Sequence, residues 1–275
     1  MRKNQGLVNF VFIICIFSLS SCNKTHQLEI AVTQDAEPSE IVVEESPVDV
    51  LIYLGRTLWI RPELAKIEAE ITRNLLEPKG IQVGITGSED SFRDWMLQTT
   101  ENGSVNVCIL YGTLPYTIYP PGNAQPDDSV LEKWIETTDG DTILNQADYL
   151  GYSSSEGKKA NERGALQNLM DIPDIDLDVY THDRRMIVTE VGKTLTPSLG
   201  NFASDRTFPL DQLEAQWFAE KILATDTGDT HATFADPIIV RDGDRGRIAI
   251  VFHTQYEDNP KGEVAAEIIS YLLSE

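Results

Sequence analysis

Basic residues are scarce in this sequence. Its 275 residues include 22 Lys and Arg against 44 Asp and Glu, which gives a formal net charge of −22. A field of this sign repels phosphate backbones and anionic lipid surfaces, so the composition argues against nucleic-acid binding. We expect a soluble extracytoplasmic protein that its charge keeps dispersed, with a surface that collects cations as the alternative.

Cysteines are equally few. Of the three, Cys15 and Cys22 lie near the N-terminus, and only Cys108 falls in the region predicted to fold. A disulfide within that region is therefore ruled out. Cys108 stands between Val107 and Ile109 in a predicted buried strand, where a cysteine is usually a small hydrophobe and rarely a nucleophile.

Motifs of common chemistries are missing as well. The chain has no GxGxxG, GxxxxGK[ST] or GxSxG sequence, so no dinucleotide or triphosphate cradle and no nucleophile elbow is predicted. Its histidines lack HxH and HxxxH spacing, which argues against a zinc site. The alternating acids of residues 174–180 predict a half-exposed strand; a calcium loop, the alternative, needs glycine where Val179 stands. We predict no metal and no cofactor.

Residues 1–21 have the features of a secretory signal peptide. Arg2 and Lys3 precede an apolar run, Leu7 to Leu19, that is too short to span a bilayer stably. The sequence Leu19-Ser20-Ser21-Cys22 resembles the bacterial lipobox, which implies that Cys22 is acylated and anchors the protein to a lipid bilayer. An ordinary signal peptide followed by an accidental cysteine is the alternative.

The lipobox resemblance also implies a location in the cell envelope. Asn23, in place of Asp, is typical of lipoproteins sorted to the outer membrane, facing the periplasm or the cell surface. Residues 22–47 are polar, acidic and contain Pro38 and Pro47, so we predict a disordered tether. Residues 48–275 remain for a single α/β domain.

Three short apolar segments define the fold of that domain. They are Val48–Gly55, Ile81–Gly87 and Val105–Gly112, and each ends in glycine. Such runs suit strands buried on both faces of a parallel sheet, and the helix-length segments between them predict a doubly wound α/β fold with helices on both faces. Pro237–Val240 and Arg247–Phe252 flank a turn, which predicts a C-terminal antiparallel hairpin.

Apolar spacing also predicts which faces of the helices are buried. A helix beginning at Pro62 would bury a stripe of four residues: Leu64, Ile67, Ile71 and Leu75. A later helix is predicted from Leu210 to Leu223, with its apolar side facing inward. Ser129 and Glu132 form a capping box at the start of another helix.

Ligands of open α/β sheets bind at the carboxyl ends of the strands. The predicted ligand-binding residues at those ends are Arg56, Ser88, Tyr111, Thr113 and Tyr149. The acid–base candidates are His253, Asp148 and Glu89. Each could instead be a helix cap or a loop hydrogen bond. The long 113–125 loop carries tyrosines and threonines that suit a sugar or peptide, unless it packs its own tyrosines onto the domain.

The order of elements from Val48 onward resembles the class I glutamine amidotransferase-like fold, a flavodoxin-like superfamily that includes trehalose-utilisation-type proteins. The segment in which this resemblance can be compared residue by residue is Ile250-Val251-Phe252-His253-Thr254-Gln255. Amidotransferases close their last strand with Phe-His-Pro-Glu, in which the His is the general base and the Glu orients it. Here Phe252-His253 matches, whereas Thr254-Gln255 replaces Pro-Glu and the Gly-x-Cys-x-Gly elbow is missing. The resemblance therefore implies the fold without the amidotransferase reaction.

Taken together, these features predict a membrane-tethered extracytoplasmic lipoprotein. Its non-catalytic amidotransferase-like domain would bind a small ligand, a glycan or a protein partner. A hydrolase that uses His253 and Asp148 is the alternative. A protein that only docks another protein through an exposed apolar patch is the third possibility.

Overall fold

The structure is a computed structural model that describes residues 47–122, 128–147, 150–155, 158–161, 163–177, 183–214, 216–229, 231–254 and 256–274. The predicted signal peptide and residues 22–46 of the predicted tether, with Cys22, lie outside these ranges, as do Asp148 and Tyr149. None of the helices within these ranges is long and apolar enough to cross a membrane.

The chain alternates strands and helices through its first half. The helices are α1 Pro62–Leu76, α2 Glu89–Thr99, α3 Val130–Ile135, α4 Arg163–Met170, α5 Glu190–Leu195 and α6 Lys261–Leu272. The strands are β1 Val50–Tyr53, β2 Val83–Thr86, β3 Val107–Leu110, β4 Leu114–Pro115, β5 Thr142–Gln146, β6 Ser153–Ser155, β7 Lys158–Ala160, β8 Arg184–Val188, β9 Phe202–Ser204, β10 Phe208–Pro209, β11 Trp217–Ile222, β12 Ala224–Thr225, β13 Phe234–Ala235, β14 Ile238–Asp242 and β15 Arg247–Val251.

A seven-stranded sheet forms the centre of the fold, in the order β11-β14-β15-β5-β3-β1-β2. The five strands from β15 to β2 are parallel, while β14 runs antiparallel to both β15 and β11. The predicted mostly parallel α/β fold with a C-terminal antiparallel hairpin is therefore confirmed. Two smaller sheets, β10-β13-β12-β8-β9 and β4-β6-β7, lie outside it.

The pleat of the central strands divides the core into two layers. Leu51, Cys108 and Ile143 occupy the same level on neighbouring strands and pack with residues of α2 and α3 on one face. Val50 and Val107 pack with residues of α1 and α6 on the other face. Because both faces are covered, these strands consist almost entirely of apolar residues, which made them recognisable in the sequence.

The buried face of α1 differs from the predicted stripe. Ile67 is 55% exposed and Leu75 is 42% exposed, so the prediction is wrong for these two residues. Apart from Leu76, the buried side instead contains small and polar residues: Ala65, Glu68, Ala69 and Thr72. These let α1 pack closely against α6, where the Gly262 N–H donates to the Glu68 carboxylate at 2.6 Å. A Cβ at Gly262 would lie 2.6 Å from the Glu68 carbonyl oxygen.

The helix predicted from Leu210 to Leu223 is also wrong. The structure has a short 3₁₀ turn at Leu210–Gln212, followed by edge strand β11. Trp217 is buried and its neighbour Phe218 is 45% exposed, so these two side chains lie on opposite faces of the strand. By contrast, the predicted capping box of α3 is confirmed, with Ser129 and Glu132 each accepting a backbone N–H of the other.

A buried carboxyl group lies at the amino ends of β3 and β5. Asp141 Oδ1 accepts the Asn106 N–H at 2.8 Å, while Oδ2 has no hydrogen-bond partner within the described ranges. Burial raises the pKa of Asp141 to about 8, and the hydrogen bond from Asn106 only partly opposes that effect. At neutral pH the folded protein therefore favours the protonated carboxyl group.

Replacing Asp141 by Asn should flatten the pH dependence of stability. Asp141 has a folded-state pKa above its usual value. Its contribution to the free energy of unfolding is therefore full below about pH 4 and is lost as the pH rises towards the folded-state pKa of about 8. Asn keeps the acceptor for Asn106 but cannot ionise. We expect D141N to gain stability over the native protein with rising pH, as measured by urea unfolding. The exposed-turn variant D244N is the control, and a native-like profile for D141N would contradict the expectation.

Candidate functional site

The carboxyl ends of the five parallel strands meet at one edge of the central sheet. The segments that leave these strands include Arg56 after β1, Glu89 after β2, Gly112 after β3 and His253 after β15. The strand-end rule therefore locates the predicted residues at this edge. Their burial and hydrogen bonds differ, and these decide what each can do.

The main chain at His253 is held by one buried carboxylate. Asp236 accepts the backbone N–H of Phe252 at 2.8 Å and that of His253 at 2.9 Å. The Ser204 hydroxyl donates to the same carboxylate at 2.6 Å. Phe252 adopts a left-handed backbone conformation, φ 54°, which turns the chain at the end of β15. The position of His253 is thus set by the backbone and does not depend on its side chain.

The imidazole of His253 is buried and neutral. Nε2 lies 2.6 Å from Asn145 Oδ1, and Asn145 Nδ2 is 3.4 Å from the Gly112 carbonyl oxygen. The Gly112 contact orients the amide, so Nε2 carries the proton and donates it to Asn145. Burial lowers the pKa of His253 to about 3, and the nearby positive charge of Arg206 acts in the same direction. Nδ1 has no hydrogen-bond partner among the described residues.

Two further titratable groups flank this turn. Burial raises the pKa of Asp236 to about 7, although its hydrogen bonds from Ser204, His253 and Phe252 oppose the rise. Lys261 is buried, and its ammonium donates to the Tyr256 carbonyl oxygen at 2.8 Å. Burial lowers the pKa of Lys261 as well. Both groups act here as hydrogen-bonding supports for the chain around His253.

Glu89 and Arg56 form an ion pair at the ends of β1 and β2. Arg56 Nε lies 3.2 Å from Glu89 Oε1, and the two side chains are 27% and 24% exposed. The Tyr53 hydroxyl is buried beside them, without a partner in the part of the chain that the structure describes. Burial raises the pKa of Tyr53, with the charge of Glu89 as a second cause. Glu89 is therefore engaged by a cation and not by a histidine.

The loop after β1 crosses closely over the end of β3. A Cβ on Gly112 would lie 2.5 Å from the Arg56 carbonyl oxygen, so only glycine allows this approach. Farther along the same loop, Trp59 is 54% exposed and has a left-handed backbone conformation, φ 61°. The guanidinium of Arg206 lies 5.7 Å from the centre of the Trp59 ring. Trp59, Arg206, Asn145 and Asp236 were not among the predicted site residues.

The remaining predicted ligand-binding residues occupy varied positions. Tyr111 and Thr113 are buried, with exposures of 0% and 1%, and Tyr111 packs in the layer that contains α1 and α6. Burial raises the pKa of Tyr111. Ser88 is exposed and caps α2, accepting the Ser91 N–H at 3.2 Å. Tyr149 and the acid–base candidate Asp148 lie outside the described residues.

The described part of the 113–125 loop packs Tyr119 into the core, while Tyr116 is half-buried. Tyr119 is fully buried in the core layer of α2 and α3, and its hydroxyl accepts from Asn168 Nδ2 at 3.1 Å. Ile118 is likewise fully buried. This arrangement matches the alternative in which the loop packs its own tyrosines onto the domain.

Cys108 lies in the middle of the sheet. It is fully buried, and burial raises the pKa of its thiol. The register puts Cys108 level with Ile143 and therefore with Ile248 on β15. The end of β15 at Val251 is three residues farther, about 10 Å along an extended chain. His253 lies beyond that point, so the thiol lies in the middle of the sheet and the imidazole lies past the carboxyl ends of its strands.

Metal ligands are not gathered in the portion of the chain that the structure covers. No group of three or more His, Cys, Asp or Glu side chains there is arranged to hold an ion. The polar groups at the carboxyl edge instead form pairs: Arg56 and Glu89 are an ion pair, and His253 and Asn145 are a neutral hydrogen-bonded pair. Their chemistry is that of hydrogen bonding and ion pairing.

Comparison with known proteins adds one structural neighbour. No protein-family model matches the chain, and no curated protein matches it. A solved structure of a protein described as ThuA-like, from Bacteroides uniformis ATCC 8492, is similar with a TM-score of 0.48 and 10% identity, over 87% of this chain and 96% of that one. A likeness of this size carries no argument about function. The fold class therefore rests on this chain's own sheet order and register.

The imidazole of His253 should not titrate in the physiological range. Its pKa of about 3 predicts a neutral ring between about pH 8 and about pH 5. An exposed histidine gains its proton within this range. Long-range ¹H–¹⁵N spectra should show the Nε2–H tautomer throughout, with H253Q used to assign the signals. A titration midpoint above pH 5, or a proton on Nδ1, would contradict the geometry.

Proposed function

We propose that the protein is a lipid-anchored extracytoplasmic binding module with an amidotransferase-like domain. Its ligand would bind at the carboxyl edge of the central sheet, and its thiol would take no part in chemistry. The observation that carries the proposal is the buried, neutral His253, fixed by its hydrogen bond to Asn145.

Thiol chemistry requires a different arrangement from the one found here. A cysteine nucleophile needs an exposed, low-pKa thiol and a base within hydrogen-bond reach. Cys108 is fully buried with a raised pKa, and the Nε2 proton of His253 is already donated to an amide oxygen. A general base also works best with a pKa near the operating pH, whereas that of His253 is about 3.

Several features of the carboxyl edge support a binding role. Tyr53 Oη and His253 Nδ1 are buried polar atoms whose hydrogen-bonding capacity the described residues leave unused. The Arg56–Glu89 pair and the exposed Trp59 lie in the segments that follow β1 and β2. An aromatic face beside charged and hydroxyl groups suits a small polar ligand or a glycan, because the ring packs on apolar edges while the polar groups fix the orientation.

Trp59 should report and contribute to ligand binding. It is exposed, whereas Trp95, Trp134 and Trp217 are buried, so a ligand at this edge should change mainly the fluorescence of Trp59. We expect titration with a set of neutral and acidic mono- and disaccharides to give saturable changes, and W59A to weaken binding about tenfold.

The control for W59A is F218A, which removes an exposed aromatic side chain from edge strand β11 and should leave the saccharide affinity unchanged. Circular dichroism would verify that both variants fold. The binding role would be refuted by saccharide affinities that W59A and F218A reduce equally, or by the lack of any saturable change across the set.

The membrane anchor is the other half of the proposal. It is supported by the sequence Leu19-Ser20-Ser21-Cys22 and the basic start of the leader. Acylation at Cys22 would hold the domain to the bilayer through the acidic segment of residues 22–47.

Replacing Cys22 by Ser should abolish acylation. In cells fed a clickable palmitate analogue, the native chain and C15S should become labelled and remain with the membrane fraction, since Cys15 lies within the apolar leader. C22S should lose the label. Equal labelling of C22S and C15S would refute lipidation at Cys22.

A further inference from the structure

A groove lies between edge strand β11 and helix α5. It measures about 780 Å³, and its apolar lining includes Val191 and Leu195 from α5 with Ala219 and Ile222 from β11. The size falls in the range of ligand-binding clefts. The groove is separate from the carboxyl edge, because its lining comes from different elements of the fold.

Strand β11 ends the central sheet. It pairs with β14 on one side, and none of the described strands pairs with its other side. An unpaired strand edge presents backbone N–H and C=O groups to any extended chain that lies alongside it. The register of β11 shifts between Ala219 and Lys221, which marks a bulge within the strand.

The combination of edge strand and flanking helix defines the shape of the occupant. An extended peptide could add a further strand to β11 while alternate side chains enter the apolar groove against α5. The other side chains of such a peptide would point away from the groove floor, because strand side chains alternate between faces.

Charge selects the chemistry of those side chains. Three acids line the groove, Glu190, Glu220 and Asp229, against the single base Lys221. Glu220 is engaged by Arg247 at 2.7 Å. Glu190 and Asp229 are exposed at the surface, where Glu190 pairs with Lys193 at 2.5 Å and Asp229 accepts the His231 backbone N–H at 2.8 Å. The chain as a whole carries a net charge of −22, so the surrounding field attracts cations.

We propose that the β11–α5 groove binds an extended segment of a partner protein in which apolar and basic residues alternate. The backbone of the segment pairs with β11, its apolar side chains enter the groove, and its basic side chains face the acidic surroundings. This interaction goes beyond the ligand site at the carboxyl edge and does not depend on it.

A fluorescein-labelled acetyl-Val-Lys-Val-Lys-Val-Lys amide peptide tests the proposal by fluorescence anisotropy on the full chain. The acylated protein is kept in a nonionic detergent, and a titration with detergent alone is subtracted. We expect saturable binding that weakens with added salt. A Val-Glu peptide of the same length should bind at least about tenfold more weakly because its charge is repelled.

Matched variants separate the groove from general charge attraction. V191K places a cation in the groove and should weaken binding about tenfold, whereas L97K makes the same kind of change at an exposed residue of α2 and should alter it less than about twofold. E190K, a second variant, tests charge without altering the apolar floor. A peptide N-methylated at every second residue should not bind, because it cannot pair with the strand edge.

The proposal would be overturned by any of three results. The first is a lack of saturable binding by the Val-Lys peptide. The second is equal weakening by V191K and L97K, or full binding of the N-methylated peptide, since either would indicate non-specific attraction. The third is a dimer in sedimentation velocity that V191K dissociates and L97K does not, since the occupant would then be a second copy of the chain.

Discussion

The carboxyl edge of the central sheet depends on the buried carboxylate of Asp236. It accepts two consecutive backbone N–H groups, those of Phe252 and His253, and the hydroxyl of Ser204. Removing the carboxylate would leave these buried donors unsatisfied, each at a cost of about 1–3 kcal/mol. The backbone of this turn is thereby fixed, and the imidazole of His253 faces Asn145.

The same burial has opposite effects on acids and bases. It lowers the pKa of His253 and Lys261 and raises that of Asp236, because a charge is disfavoured in each case. Each group is therefore moved towards its neutral form. For His253, with a pKa of about 3, this leaves a neutral ring at physiological pH.

The sequence predicted the sheet because its parallel strands are buried on both faces. Runs such as Val105–Gly112 are almost continuous in apolar residues, which is the pattern of a strand covered on both sides. Helix α1 was harder, since its buried side was selected by close packing on α6 and by the Glu68–Gly262 hydrogen bond. The spacing of apolar residues along α1 gives no information about the buried carboxylate of Glu68, which accepts an N–H at the start of α6.

Strand β11 was missed for a related reason. Its apolar residues have spacings that fit both a helix and a strand, and the pairing partner β14 lies about 20 residues farther along the chain. Tertiary pairing decided between the two. Local sequence contains no signal for a partner at that separation, so single-sequence reasoning favours the helix.

The strand-end rule places the predicted residues at one edge of the sheet, but it does not indicate which side chains face that edge. Tyr111 shares the parity of Val107 and Ile109 along its strand, and all three pack towards α1 and α6. That alternation was readable in the sequence and would have argued against Tyr111 as a ligand contact. Asn145 was a second available signal, because a polar side chain inside an apolar strand must find a buried partner. That partner proved to be His253.

The Asn145–His253 contact also supports the proposal that this domain does not carry out the amidotransferase reaction. In the resemblance, the histidine after the last strand serves as a base because a following glutamate orients it. Here the imidazole is oriented by a neutral amide, which accepts a hydrogen bond from Nε2 but adds no negative charge to stabilise a cation. Without that charge, burial decides the protonation state. Phe252-His253 thus lies at the end of a strand, and among the described residues the imidazole is oriented by Asn145.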